Sequence, residues 1–179
     1  MENQHLMITD CRSWIAILRW CIVAGKRELT LRFLAEPTAV NFGGNVHGGT
    51  VMKWIDQAGY SCASGWSGCY CVTVYVGGIR FFHPIQIGSL VQVVATIIYT
   101  GRTSMHIAVD VFAGDPKNER QQKTTHCIIV FVAVDETGKP TAVPTWTPEA
   151  EEDKALEQYA VKLMNLRKGI EEEMRQYLA

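Results

Sequence analysis

The sequence predicts an α+β fold: one long helix early in the chain, a run of antiparallel strands, and a second helix at the C-terminus. Three observations carry this. Apolar residues recur at helical spacing from Gly48 to Trp66. Four strand-like runs rich in Val, Ile, Tyr and Phe follow between turn signals, from Cys71 to Val134. Helical spacing then returns from Leu156 to Tyr177. With 179 residues, 47% of them hydrophobic and 20% charged, the chain suits a single globular domain with a sizeable core. There is no internal repeat or low-complexity tract.

Residues 1–27 form an extension of uncertain structure. Trp14 to Ala24 is apolar except for Arg19, but eleven residues fall short of a bilayer span, which needs about 20. Arg19 also interrupts the apolar region that a signal peptide would require. An added helix, or a loosely packed extension, is the expectation. The main domain is placed at 28–147, beginning with a strand from Glu28 to Leu34 that sets Leu29, Leu31 and Phe33 on one side. Pro37 stops that strand, and Thr38 to Asn45 is a glycine-rich loop leading into the long helix.

The long helix is expected to end near Gly65 to Gly68, with Val51, Met52, Trp54, Ile55, Ala58, Cys62, Ala63 and Trp66 on one wide face. Cys71 to Phe82 follows as a strand whose Gly77-Gly78 pair predicts a bulge. Ser89–Tyr99 and Ser104–Phe112 form a hairpin about Thr100-Gly-Arg-Thr103, and Ala113 to Gln122 is a polar loop. Thr124 to Val134 is almost wholly apolar, so it is a strand buried on both faces or centrally placed. Thr147-Pro148-Glu149 predicts a helix start by capping hydroxyl, N1 proline and acid, which makes 148–179 a C-terminal helix. Its apolar stripe is Leu156, Tyr159, Leu163, Leu166, Ile170, Met174 and Tyr177.

Net charge of −1 argues against a general nucleic-acid binder. Six cysteines include no Cys-x-x-Cys pair, and Cys62 and Cys127 sit inside apolar runs. This predicts reduced thiols, a cytoplasmic protein and no metal. No membrane partner is expected.

The chemistry gathers around Asn45-Val-His-Gly-Gly-Thr-Val-Met-Lys-Trp-Ile-Asp56. A helix N-terminus carries unpaired N–H groups and partial positive charge. Gly48 and Gly49 let a substrate approach that bare backbone, where an oxygen gaining negative charge would be held. Asp56 falls at the edge of the apolar face beside Met52 and Ala63, so half burial is expected. On an arbitrary helix such an Asp would be a solvated charge; below a glycine mouth it is a candidate base or nucleophile. Asn41 stands fifteen residues earlier, in a stretch where asparagine equally serves turns.

The stretch NFGGNVHGGTVMKWIDQAG, followed by GRTSMHIAVDV and FVAVDETGKPTAVP, resembles the hotdog-fold acyl-CoA thioesterases, of the bacterial short acyl-CoA hydrolase and cytosolic brain-type acyl-CoA hydrolase kind. The likeness runs from about Glu28 to the C-terminal helix. It implies a sheet wrapped around the long helix and hydrolysis of acyl-CoA to free acid and CoA. It also implies that Gly49 N–H polarises the thioester carbonyl, that Asp56 activates water or attacks directly, and that Asn41 assists. The family's more usual acidic residue is replaced here by Asn45, and its usual aromatic by His47. Asn45 then serves as a helix cap, while His47 shapes acyl selectivity or joins a proton relay. Arg102, Thr103 and Ser104 match the family's GRTS at a hairpin, with Arg80 a second cation for the CoA phosphates. No cofactor is expected beyond the CoA of the substrate.

Gly49 and Asp56 are seven residues apart, roughly 10 Å along the axis, so one helix can hardly supply both donor and base. The expectation is a site shared across a two-fold homodimer; the family further implies a trimer of dimers. Two rival readings are a hotdog dehydratase or hydratase using His83, in FFHPIQIG, and a non-catalytic acyl-CoA sensor.

Overall fold

The computed structural model describes residues 25–118 and 120–178; the body of the expected extension, residues 1–24, lies outside them. Five strands, β1 (Glu28–Leu34), β2 (Tyr70–Phe81), β3 (Leu90–Thr100), β4 (Ser104–Gly114) and β5 (Gln122–Val134), form one sheet in the order β1-β3-β4-β5-β2. Every neighbouring pair is antiparallel. The long helix α1 (Gly48–Ser67) lies on one face and α2 (Glu151–Arg175) on the other.

The predicted stripe packs α1 to the sheet. Val51, Ile55, Ala58, Cys62, Ala63 and Trp66 are buried against Val93, Ile107, Val109, Ile129 and Phe131. Each such large side chain contributes about 1.5–3 kcal/mol when fully removed from water. Gly59 allows the closest approach: a Cβ there would sit 2.7 Å from the Phe131 ring. Gly68 ends α1 in the left-handed conformation, φ 67°, with its N–H on Ser64 O. β5 is buried on both sides as its composition predicts, with Cys127, Ile129 and Phe131 toward α1 and Ile128 toward α2. Burial pushes the Cys62 and Cys127 thiols up to about 12 and about 11, which keeps them protonated and inert.

Two expectations change. α2 does not start on a Thr147 cap: Ala150 is its N-cap, without a side-chain hydrogen bond, and Glu151, Glu152 and Asp153 occupy the first turn. Tertiary bonds keep the preceding segment extended. Trp146 N–H donates to Thr100 Oγ1 at 2.9 Å, Trp66 Nε1 donates to Pro144 O at 2.9 Å, and the Arg27 guanidinium stacks on Trp146 while pairing with Asp153. Arg27 also bonds both backbone groups of Ile97, so the domain's edge reaches just beyond the strand start at Glu28. Second, only the first half of the C-terminal stripe is packed. Leu156, Tyr159 and Leu163 meet Ile98 and Ile128, whereas Leu166, Ile170 and Met174 are 65%, 55% and 50% exposed.

His106 is buried between the sheet and α2, edge-on to the Tyr99 ring. Burial, with Arg167 adding, pushes its pKa down to about 4. The unfolded chain, near 6.5, therefore binds the proton first. The stability tied to this residue is whole above about pH 6.5 and is lost as pH falls toward about 4. That loss is on the order of 3 kcal/mol. Urea unfolding of wild type and His106→Leu at pH 7 and 4.5 checks it: the midpoint should fall less in the variant.

Candidate active site

The mouth of α1 is built by a tight loop. Asn41 Oδ1 accepts from the backbone N–H of Gly43 at 2.8 Å and of Asn45 at 3.1 Å. Asn41 N–H donates to Asn45 O and His47 N–H to Ala39 O, both at 2.7 Å, so the loop is pinned before the helix begins. The amide oxygen of Asn41 is thus engaged in shaping the loop, which leaves Nδ2 as the group able to donate to a ligand. Phe42, at the loop tip, is fully exposed.

Asn45 does not cap the helix; His47 does. Its backbone is extended, φ −66° and ψ 134°, and its Nδ1 accepts the Gly49 N–H at 2.9 Å. Capping needs a side-chain acceptor close to the backbone, and the δ nitrogen of a neutral imidazole, at the same remove from Cα as an asparagine oxygen, supplies one. Gly49 N–H is therefore engaged, and the Gly48 N–H has no partner among the described residues. Beside Gly48 opens a pocket of about 320 Å³ walled by Val46, Val51, Phe81, His83, Ile85 and Thr125. Gly48 and His83 lie on the same pocket, and Thr125 Oγ1, buried, lacks a hydrogen-bond partner among the described residues.

Asp56 lies on the flank of α1 that faces β2, and it is exposed rather than half buried. The reason is topological: among the described residues β2 is an edge strand paired only with β5, and none of them covers that flank. Thr73 of β2 donates its hydroxyl to Asp56 Oδ1 at 2.7 Å. Oδ2 has no hydrogen-bond partner among the described residues. A carboxylate with one oxygen held and one open can take a proton from water in a fixed orientation. Thr73 was not among the residues the sequence singled out.

The cations expected at CoA fall at opposite ends of the sheet. Arg80 pairs across β2 and β5 with His126, on the face that carries α2. His126 in turn contacts Asp110 at 2.6 Å and Tyr159 of α2 at 3.3 Å. Burial works against ionisation of Asp110, but the hydrogen bonds from His126 and Lys123 outweigh it and hold its pKa below the usual value. Arg102 and Thr103 form the β3–β4 turn, and Ser104 opens β4 opposite Val132. That is six β5 residues from the partner of Arg80, roughly 20 Å. Within one chain they do not meet.

Among the described residues no helix is long and apolar enough to cross a membrane. The thioesterase superfamily model matches residues 43–119, which include Gly48, Gly49, Asp56 and Thr73. Protein VdlD of Helicobacter pylori is 33% identical over 144 residues, 80% of this chain and 82% of that one. The acyl-CoA thioester hydrolase YciA of Escherichia coli is 36% identical over 121 residues, 65% of this chain and 91% of that one. A solved acyl-CoA hydrolase of Staphylococcus aureus, in complex with butyryl-CoA, CoA and CoA disulfide, matches with a TM-score of 0.78 at 28% identity. The match covers 85% of this chain and 93% of that one. The Staphylococcus enzyme has also been solved with an asparagine, an aspartate and a threonine each changed to alanine. Other solved structures of similar fold are hexameric thioesterases. This chain belongs to the thioesterase superfamily, as a hotdog-fold acyl-CoA thioesterase.

Proposed function

We propose that the protein hydrolyses acyl-CoA to free acid and CoA at a site made by the α1 mouth of one protomer and Asp56 with Thr73 of its partner. The Asp56–Thr73 hydrogen bond, on the uncovered flank of α1, carries this reading. In the Staphylococcus enzyme the altered asparagine and aspartate are fifteen residues apart, and the aspartate and threonine seventeen. Asn41, Asp56 and Thr73 keep both spacings, as the sequence here and the threonine variant attest.

The chemistry follows from these groups. Thr73 holds Asp56 so that Oδ2 meets either a water or the thioester carbon; the carboxylate acts as general base or as nucleophile. Gly49 N–H takes the carbonyl oxygen as it gains charge, with the axial dipole of α1 behind it. Asn41 Nδ2 donates to that oxygen or to the water. Gly48 and the pocket beside it receive the start of the acyl chain, and the thiolate of CoA leaves. No metal or redox group is called for. Arg102, Thr103 and Ser104, with Arg80, are the proposed contacts to the CoA nucleotide. Since they stand far apart in one chain, the nucleotide meets them from different protomers.

The open edge of β2 is where the two-fold partner would join, continuing the sheet and laying the second α1 beside the first. Val74 and Val76, 46% and 39% exposed on that edge, suit such a contact. Hexameric relatives support a trimer of these dimers as the larger assembly. A cytoplasmic setting belongs to the same reading and accords with free thiols at Cys62, Cys69, Cys71 and Cys127.

The test is a ladder of acyl-CoA chain lengths with a thiol reagent to read CoA release. Turnover of at least one length is expected, and binding without release of any would make the protein an acyl-CoA sensor. In the same assay Arg102→Ala should raise KM for CoA thioesters and spare small thioesters lacking the nucleotide. Equal losses on both would remove Arg102 from the nucleotide site.

A further inference from the structure

The amide that the proposed chemistry needs is not free. Gly49 N–H already donates to His47 Nδ1 at 2.9 Å. The ring lies close over the glycine, since a Cβ at Gly49 would come 3.1 Å from Nδ1 and 3.4 Å from Cε1. The His47 backbone is fixed on both sides: its N–H is on Ala39 O, and its carbonyl accepts from Thr50 and Val51. The side chain, by contrast, is exposed. Rotation about its own side-chain bonds is enough to uncover Gly49 without disturbing the loop or the helix.

We infer that His47 is a displaceable cap on the oxyanion-binding amide, a positioning residue that closes the donor in the free enzyme and yields it to a seated thioester carbonyl. The inference rests on the reading of Gly49 N–H as that donor. It gives His47 a task that follows from its chemistry. A carbonyl must replace an existing hydrogen bond, and only an oxygen delivered to the right place by the rest of the acyl-CoA can do so. Because the exchange occurs on binding, the ground state and the transition state bear its cost equally, and the cost falls on KM rather than on kcat.

The experiment is a series at His47, read as KM and kcat on one short acyl-CoA. His47→Ala and His47→Phe both remove the acceptor, one without bulk and one with it. His47→Asn keeps an acceptor at the capping position. Replacing an exposed hydrogen bond by water is worth a factor of roughly 2 to 10. Ala and Phe should therefore lower KM by that factor with kcat unchanged, and Asn should restore the wild-type KM. KM unchanged or raised in both Ala and Phe, or lowered equally in Asn, would overturn the cap. Loss of the cap itself is seen separately, as a shifted Gly49 amide resonance in 15N-glycine-labelled Ala and Phe proteins but not in Asn. To separate this from the donor reading, a butyryl-CoA analogue with a methylene in place of sulfur is added to each labelled protein. A Gly49 resonance that moves on binding in every variant, with a flat KM series, overturns the cap alone. One that moves in none overturns the donor reading and the cap together.

Discussion

Asp56→Ala should lower kcat by on the order of 10²–10⁴, the range of a lost general base, and by more if the carboxylate is the nucleophile. The fold should survive. Asp56 is exposed, and its removal leaves only the Thr73 hydroxyl to find a water. Asp56→Asn refines the result, because it keeps an oxygen for Thr73 to bond while removing the basic site. Loss in both variants at an unchanged melting temperature makes the carboxylate the reacting group. Activity retained in the Asn variant would reduce Asp56 to holding Thr73 and water in place, and activity retained in both would move the chemistry elsewhere.

The second large effect is recovery from two dead parents. Asn41→Ala disables the mouth of its own chain whichever way Asn41 acts, since its side chain holds the Gly43 and Asn45 amides. Asp56→Ala disables the carboxylate of its own chain. In a two-fold dimer with shared sites, one chain of each kind leaves one site with both defects and one with neither. Verified heterodimers should then regain about half the wild-type activity per dimer, on the symmetry argument alone. Heterodimers as inactive as either homodimer would mean that each chain carries a whole site, and the seven-residue gap from Gly49 to Asp56 must then be bridged within one helix.

Much of this was legible in residues whose role is local. The stripe of α1, the apolar β5 and the Gly77–Gly78 bulge are patterns of period and backbone freedom, and the folded chain repeats them. What escaped depended on distant partners. Thr147 has the makings of a cap, yet Trp146 is held by Thr100, forty-six positions away, and the helix waits until Glu151. Asp56 was expected half buried from its place on the helix, but exposure depends on which strand borders that flank and whether the strand has a neighbour. Thr73 belongs to no motif. It could have been found only by carrying the α1 edge across to the first residues of β2, where Thr73 follows Cys71 on the face toward α1. His47 as cap was missed because capping statistics favour short oxygen side chains, and Asn45 offered one nearby.

β2 has a further property that follows from its two irregular steps. Between Thr73 and Phe81 it uses eight residues where β5 uses six, one extra before Tyr75 and one before Arg80. Side chains alternate strictly along a strand, so each extra residue inverts the phase of everything beyond it. The two inversions cancel. Thr73 and Phe81 therefore point to the α1 side while the stretch between them runs in opposite phase, and Arg80 comes out facing away from α1. The strand behaves like a reading frame with one slip and one restoring slip. Loss of a residue from the regular stretch between the steps, with both steps kept, slips the remainder by one against β5 and puts Phe81 on the wrong side of the α1 mouth. Loss of one from each step shortens the strand but leaves both of its ends in frame, with Thr73 still under Asp56 and Phe81 still on the wall beside Gly48.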